Sequence, residues 1–459
     1  MIRANRGDTR ERNRMTDVHG ANRRVKVAIV GAGGHFTTGL LLGLSEQPGL
    51  RGAEVVLYDP NPAPLATLQR WGERLIEQRH SSFAITTAGV LQEALAGADF
   101  VFTTIRGGGG KAARADLEVP ARHGIEQAVG DTVGPGGFAY ALRQIPIHAE
   151  IAQTMHVACP DAWLLNFSNP MTAICRAVIR TGHTRCVGLC DGVFGRRSWL
   201  GHYLDVPEDE LAFRHGGVNH LTWFTSLQRN GIDLYPVLRR RFQARGSDSQ
   251  PVSFKLMEVF GLFPSPGDRH IAEFYPYFHR AEAEGGRAYG LPTSADRSEP
   301  WQRLEAEANG QVPVAAQGHG GAAAHAMALV AALSGAAAPP AHDKRPDPMG
   351  GLFAVNTPNR QHGEMVPDLP PWAVVEALAR ADADGLHPIP SGELPAGIAA
   401  TLRARLDQQE LTVEAALTGD RGLALQALAA DPLVPSLEQA EAVLEELLHV
   451  QAAYLPRFA

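Results

Sequence analysis

VKVAIVGAGG (25–34) is the stretch that decides the fold. Its first six residues are mostly β-branched and apolar, the composition of a strand buried on both faces. The glycines that follow end the strand in a tight turn and let backbone approach a pyrophosphate at the start of the next helix. Gly31, Gly33 and Gly34 are therefore candidate cofactor contacts. Phe36 stands where a strict G-x-G-x-x-G would have its third glycine, so the pattern is incomplete on its own. Asp59, closing a second apolar run EVVLYD (54–59), completes the argument. A carboxylate there can accept both ribose hydroxyl hydrogens, which favours NAD over NADP. The same residue before Pro60 also reads as ordinary turn chemistry.

Working outward, a leucine-rich helix follows the glycines, and a second covers about 65–76. ADFVFTTI (98–105), AWLLNFSNP (162–170) and RCVGLC (185–190) read as further strands. Strands alternating with helices predict a parallel sheet with right-handed crossovers. The expected fold class is α/β. A Rossmann-type dinucleotide-binding domain (25–200) is followed by a mixed α+β domain (201–459), an architecture like that of lactate and malate dehydrogenases. Residues 1–24 read as an Arg-rich disordered tail in which Met15 is a second possible start, and 334–351 as a Pro/Gly-rich surface loop. Near the C-terminus, Ser436 and Gln439 have capping-box spacing ahead of an apolar stripe of Leu437, Ala440, Leu444, Leu447 and Leu448.

Composition narrows the function classes. The chain has 459 residues, a formal net charge of −7 and 44% apolar residues. That balance argues against bulk nucleic-acid binding, and no run approaches the ~18 apolar residues of a membrane span. Cys159, Cys175, Cys186 and Cys190 are too few for a disulfide framework and point to a reducing, cytoplasmic setting.

The chemistry-bearing residues gather at strand ends. In open α/β sheets ligands bind beyond the carboxyl ends of the strands. Thr104 and Arg106 follow the third of the strands above, ahead of Gly107–Gly110, and GDTVGPGGF (130–138) adds a second glycine-rich loop around Thr132. Asn166 and Asn169 in NFSNP are amides suited to ribose and sugar hydroxyls, although Asn before Pro is also plain turn chemistry. Cys190 closes an apolar strand beside Asp191, and His220 lies in GVNHLTWF (217–224). A thiolate and an imidazole are too few ligands for a structural zinc site but suit an open site completed by substrate oxygens, with Mn²⁺ a fitting cation.

Assembled in order, these segments resemble family-4 glycoside hydrolases, the NAD- and divalent-metal-dependent exception to two-carboxylate glycoside hydrolysis. The resemblance adds LYDPN, FVFTTIRGGG, GLCDG, DRHIAEFYPYF (268–278), residues 353–376 and residues 411–434. It implies Cys190 and His220 as metal ligands and Arg106 and Asn169 as sugar contacts. Gly31, Gly33, Gly34, Asp59, Thr104 and Asn166 fall around NAD. It also implies Asp191 as general acid and a tyrosine base, for which Tyr275 and Tyr277 both qualify.

The implied reaction has five parts: hydride transfer from C3 to NAD⁺, removal of the C2 proton, loss of the aglycone, addition of water and return of the hydride from NADH to C3. No net redox change results. GLCDG lacks the proline of the phospho-α-glucosidase branch, and DRHIAEFYPYF resembles the α-galactosidase and α-galacturonidase side. An α-hexuronide or α-hexoside is the expected substrate. A hexuronide needs a cation at C6, for which Arg269, Arg196 and Arg197 are candidates. The alternatives are a 6-phospho-α-glucosidase, an NAD-dependent 2-hydroxy-acid dehydrogenase and a non-catalytic NAD-binding regulator. The resemblance also implies a homodimer or homotetramer.

Overall fold

Six parallel strands carry the first half of the chain: β1 (Lys26–Val30), β2 (Glu54–Tyr58), β3 (Ala84–Thr87), β4 (Phe100–Thr103), β5 (Trp163–Asn166) and β6 (Cys186–Gly188). Their spatial order, 3-2-1-4-5-6, is the doubly wound Rossmann order. The computed structural model describes residues 24–279, 289, 291, 301–315, 320–336, 351–361 and 363–459. The expected tail up to residue 23, Met15 and all but the ends of the 334–351 loop lie outside the described residues.

The strands expected from sequence form, each somewhat shorter than its apolar run. β3 was not anticipated, because in AITT only Ile85 is buried and the segment carries neither an apolar run nor a clean alternation. The third strand in the chain is thus β3, and FVFT is the fourth.

β6 does not end the sheet. β11 (Phe353–Pro358) pairs with it antiparallel, followed by β12 (Val374–Asp382), β7 (Ala212–Val218), β8 (Leu221–Arg229) and β10 (Pro264–Ser265). Short β9 (Ile232–Asp233) and β13 (Gly385–Pro388) pair at the sides with β8 and β12. One continuous sheet therefore runs through both halves. GVNHLTWF, which sits among less periodic segments in sequence, spans the end of β7, the turn and the start of β8.

Helices complete the core. Gly43, in the helix Phe36–Ser45, lets the helix Gly320–Leu333 pass close by: a Cβ there would sit 2.9 Å from the Ala323 carbonyl oxygen. The helices Gly134–Ala158, Ala396–Thr418 and Leu437–Val450 share a second apolar cluster that includes Leu142, Ile145, Val413, Leu444 and Leu447. Each fully buried leucine contributes roughly 1.5–3 kcal/mol. The expected cap is present, with Ser436 Oγ accepting the Gln439 N–H at 3.2 Å. Leu437, however, points outward and is 64% exposed; Val443 is the buried residue that joins the stripe.

Candidate active site

The glycine turn is held in place by the residues expected to serve it. Gly31 adopts φ 82°, and its N–H donates to the Tyr58 carbonyl at 2.9 Å. Thr104 Oγ1 donates to the Gly31 carbonyl at 2.9 Å. Asp59 accepts the Gly33 N–H on Oδ2 and the Asn61 N–H on Oδ1, both at 2.9 Å. A Cβ at Gly33 would lie 2.8 Å from that carboxylate oxygen, so only glycine allows this approach. Gly34 is exposed, and a Cβ there would meet nothing within 4 Å. The turn is thus shaped for a dinucleotide, and Asp59 keeps further lone pairs for ribose hydroxyls.

Thr104, Arg106 and Asn169 line one cleft together with Phe36 and Phe167, whose rings lie 4.5 Å apart. Phe36, standing in the third glycine's place, thus forms an apolar wall. Arg106 is exposed in this cleft. Asn166 departs from expectation: it is fully buried, accepts from Thr103 Oγ1 and the Ser168 N–H, and donates to the Ser168 carbonyl. It braces the NFSNP turn instead of presenting its amide to a ligand.

Asp131 also lines the cleft, and around it two histidines converge. Its Oδ1 lies 3.8 Å from Nδ1 of His220 and 3.8 Å from Nδ1 of His270. The imidazole centroids are 4.2 Å apart, and one ligand atom from each residue falls within 4.8 Å of the other two. Asn169 Nδ2 donates to Asp131 Oδ2 at 3.3 Å, while its Oδ1 is buried without a hydrogen-bond partner. Two imidazoles and a carboxylate suit a first-row divalent cation, and the unsatisfied Asn169 oxygen fits a polar ligand in the same cleft.

The backbone places these groups at a cost. His220 sits in the two-residue turn between β7 and β8 with φ 65°. A left-handed conformation at a non-glycine residue costs about 1–3 kcal/mol and persists where the surroundings hold it. Here Asn219 Nδ2 donates to buried Glu376 Oε2 at 3.2 Å. On the other side, buried Glu273 accepts the N–H groups of Val129 and Gly130 at 2.7 and 2.8 Å. It thereby ties the loop bearing Asp131 to the segment bearing His270. Burial pushes the Glu273 carboxyl up to about 8 despite those two donors, and the same cause raises Glu376 to about 7.

Cys190 is half-buried and accepts the Gly192 N–H at 3.4 Å. Burial, then the Glu376 and Asp191 carboxylates, push its thiol well above the usual range, while the Asn219 amide acts in the opposite direction. Its sulfur is not part of the Asp131–His220–His270 group. Asp191 is exposed just ahead of the helix Gly192–Leu204. Tyr275 is buried against Phe260 and Phe278, and burial raises its phenol; Tyr277 is 61% exposed.

The three arginines separate clearly. Arg196 is buried, donating to the Pro266 carbonyl and Gln250, and Arg197 is buried against the Leu211 and Glu208 carbonyls. Arg197 is taken up by those carbonyls and by the Glu208 carboxylate, whereas Arg196 keeps Nη1 buried without a hydrogen-bond partner. Arg269 is half-buried, with Nη2 on the Ala128 carbonyl at 3.0 Å and Nε without a hydrogen-bond partner. Asp131 and His270 were missed in sequence because their segments stand out first for glycines and for tyrosines. An acid directly after Gly130 and an imidazole in DRHIAEF were the available signals.

Comparison with known proteins agrees with this geometry. Residues 26–206 match the profile of Family 4 glycosyl hydrolase, and residues 215–434 match that of the Family 4 glycosyl hydrolase C-terminal domain. An alpha-galactosidase of Bacillus subtilis (strain 168) is 30% identical over 449 residues, covering 94% of this chain and 99% of that protein. An alpha-galacturonidase of the same organism is 32% identical over 441 residues, covering 90% and 94%. The crystal structure of a 6-phospho-alpha-glucosidase from gut microorganisms, in complex with NAD and Mn²⁺, superposes with a TM-score of 0.77 at 22% identity, covering 95% of this chain and 99% of that one. Matched along both halves by the family's two profiles, the chain belongs to family 4 of the glycosyl hydrolases.

Proposed function

We propose that this protein hydrolyses an α-glycoside of the galacturonide or galactoside type, using NAD and a divalent cation such as Mn²⁺. The observation that carries this reading is a shared wall. Thr104, which holds the glycine turn through Gly31, lines the same cleft as Asp131, the centre of the two-histidine cluster. When bound, the dinucleotide supplies a hydride acceptor for C3 of the sugar and the cation supplies Lewis acidity at the neighbouring oxygen.

The chain's residues divide the remaining work. Gly31, Gly33, Gly34, Asp59 and Thr104 hold the dinucleotide, with Asn166 bracing the turn behind it. Asp131, His220 and His270 hold the cation. Cys190 is proposed as a further ligand because the family resemblance implies it, although its sulfur stands outside the Asp131–His220–His270 group. Arg106 and Asn169 bind sugar hydroxyls against the Phe36–Phe167 wall, which keeps water from that side. Arg269, with Nε lacking a partner, serves a C6 carboxylate bidentately. Tyr277, the exposed tyrosine of the pair, takes the C2 proton, and Asp191 protonates the leaving oxygen. Tyr275, buried among aromatic rings, is not assigned that role.

In this account the dinucleotide lobe is 25–200 and the substrate lobe 201–459. No described helix is long and apolar enough to cross a membrane. We place the enzyme in the cytoplasm, which would keep Cys190 reduced, as a homodimer or homotetramer without nucleic-acid or membrane partners. The test is a panel of nitrophenyl α-galactosides, α-galacturonides and phosphorylated glucosides with NAD⁺, Mn²⁺ and reductant. Cleavage of the first two classes without net NADH supports the proposal. Cleavage of the phosphorylated glucosides alone moves the assignment to the phospho-glucosidase branch. NADH accumulating with a hydroxy acid, or no turnover at all, contradicts it.

A further inference from the structure

The cluster contains a buried hydroxyl that none of the roles above uses. Thr132 Oγ1 donates to Asp131 Oδ1 at 2.8 Å and lies 2.7 Å from His220 Nδ1. A threonine hydroxyl has one hydrogen. With that hydrogen given to the carboxylate, the contact with the imidazole must run the other way, Nδ1–H donating to Oγ1. The chain Nδ1–H···Oγ1–H···Oδ1 is closed and directional. It leaves the His220 lone pair on Nε2.

From this we infer that Thr132 is a positioning residue that fixes the tautomer of His220 and so prepares Nε2 as a ligand atom. Metal-bound histidines characteristically donate their other ring N–H to a carboxylate, carbonyl or water, which sets tautomer and ring orientation. Here a hydroxyl relays that donation to a carboxylate of the same cluster. Thr132 is itself held: it is buried, and Gly137 in the first turn of the helix Gly134–Ala158 packs on its backbone. A Cβ at residue 137 would lie 2.4 Å from the Thr132 carbonyl carbon and 2.8 Å from its oxygen. The left-handed backbone of His220 supplies the other half of the constraint. The ligand role of Nε2 rests on the metal site proposed above; the tautomer does not.

Two measurements on the full-length protein separate these points. Long-range ¹H–¹⁵N correlation spectra of the metal-free protein, with the His220 signals identified by their loss in His220→Gln, report the tautomer. Mn²⁺ titration followed by electron paramagnetic resonance, without NAD or substrate, reports affinity. The wild type should show Nδ1–H at His220. Thr132→Val, which keeps shape and removes the hydroxyl, should lose that preference and bind Mn²⁺ about 10–100-fold more weakly. Thr132→Ser should restore both. A wild-type Nε2–H tautomer overturns the inference, as does Thr132→Val with unchanged tautomer and affinity. A wild type with the Nδ1–H tautomer but no Mn²⁺ binding supports the role of Thr132 in setting the tautomer and refutes the metal site instead. The wild-type spectrum decides the tautomer even if Thr132→Val fails to fold.

Discussion

The imidazoles of His220 and His270 lie with their centroids 4.2 Å apart, although one comes from a β-hairpin turn and the other from a short helix. With Asp131 they form a compact donor set beside, but separate from, the glycine turn. His220→Ala and Asp131→Asn should each weaken Mn²⁺ binding at least about 10–100-fold and abolish glycoside turnover. NAD affinity should stay near wild type, since Thr104 and Asp59 hold that turn independently. Calorimetric titration with each cofactor separately checks this, and parallel loss of NAD binding would refute the separation.

Gly137 is predicted to be intolerant of a single methyl group. Gly137→Ala drives a Cβ into the Thr132 carbonyl and should destabilise the fold by about 1–3 kcal/mol, with weaker Mn²⁺ binding as a second effect. Gly110→Ala is the contrast, since a Cβ there meets nothing within 4 Å and the residue is helical. It should gain about 0.5–1 kcal/mol. Denaturant melts of the two variants read the difference directly.

A pH effect follows from Glu273. Its folded carboxyl is raised from 4.5 to about 8, so between those values the folded state holds a proton that the unfolded state has released. The stability it contributes is fully present below pH 4.5 and is lost as pH rises toward 8. Glu376, raised to about 7, acts in the same direction over a narrower window. Glu273→Gln, neutral at every pH, should flatten part of the decline in melting temperature between pH 5 and 8. An unchanged slope would count against the protonated form.

Arg405 and Asp431 form a fully buried ion pair at 3.1 Å. Asp431 also accepts the Gly134 N–H, while Arg405 donates to the Phe274 carbonyl. The pair therefore joins the start of the helix behind Thr132 to the segment behind His270. Asp431→Ala leaves the guanidinium buried without its counter-charge and should cost about 3–5 kcal/mol. A loss below about 1 kcal/mol in equilibrium unfolding would show that solvent reaches the site, as it does for surface pairs.

The parallel half of the fold was legible because its strands are buried on both faces and so read as short apolar runs, and because Gly31 needs φ 82° at a strand end. β3 was not, since AITT is mostly exposed. The cleft was legible at Arg106 and Asn169, which follow strand ends closely. The cluster was legible only at His220. Asp131 and His270 reach it through a loop and a short helix whose meeting depends on Glu273, Arg405 and Asp431, contacts that no local pattern encodes. Nor does sequence reveal where a polar group is spent. Asn166 and Arg197 looked available and are consumed by neighbouring hydroxyl, amide, carbonyl and carboxylate groups.

The central claim is that this glycosidase works by oxidation and elimination at the sugar and not by direct displacement. Turnover of an accepted α-glycoside in D₂O, with NAD⁺ and Mn²⁺ present, tests it most directly, read by mass and proton NMR of the released sugar. The account predicts deuterium at C2 with no net NADH, and loss of that exchange in Tyr277→Phe. Retained exchange in Tyr277→Phe would remove the base role from Tyr277. Turnover that leaves C2 unlabelled would contradict the mechanism outright.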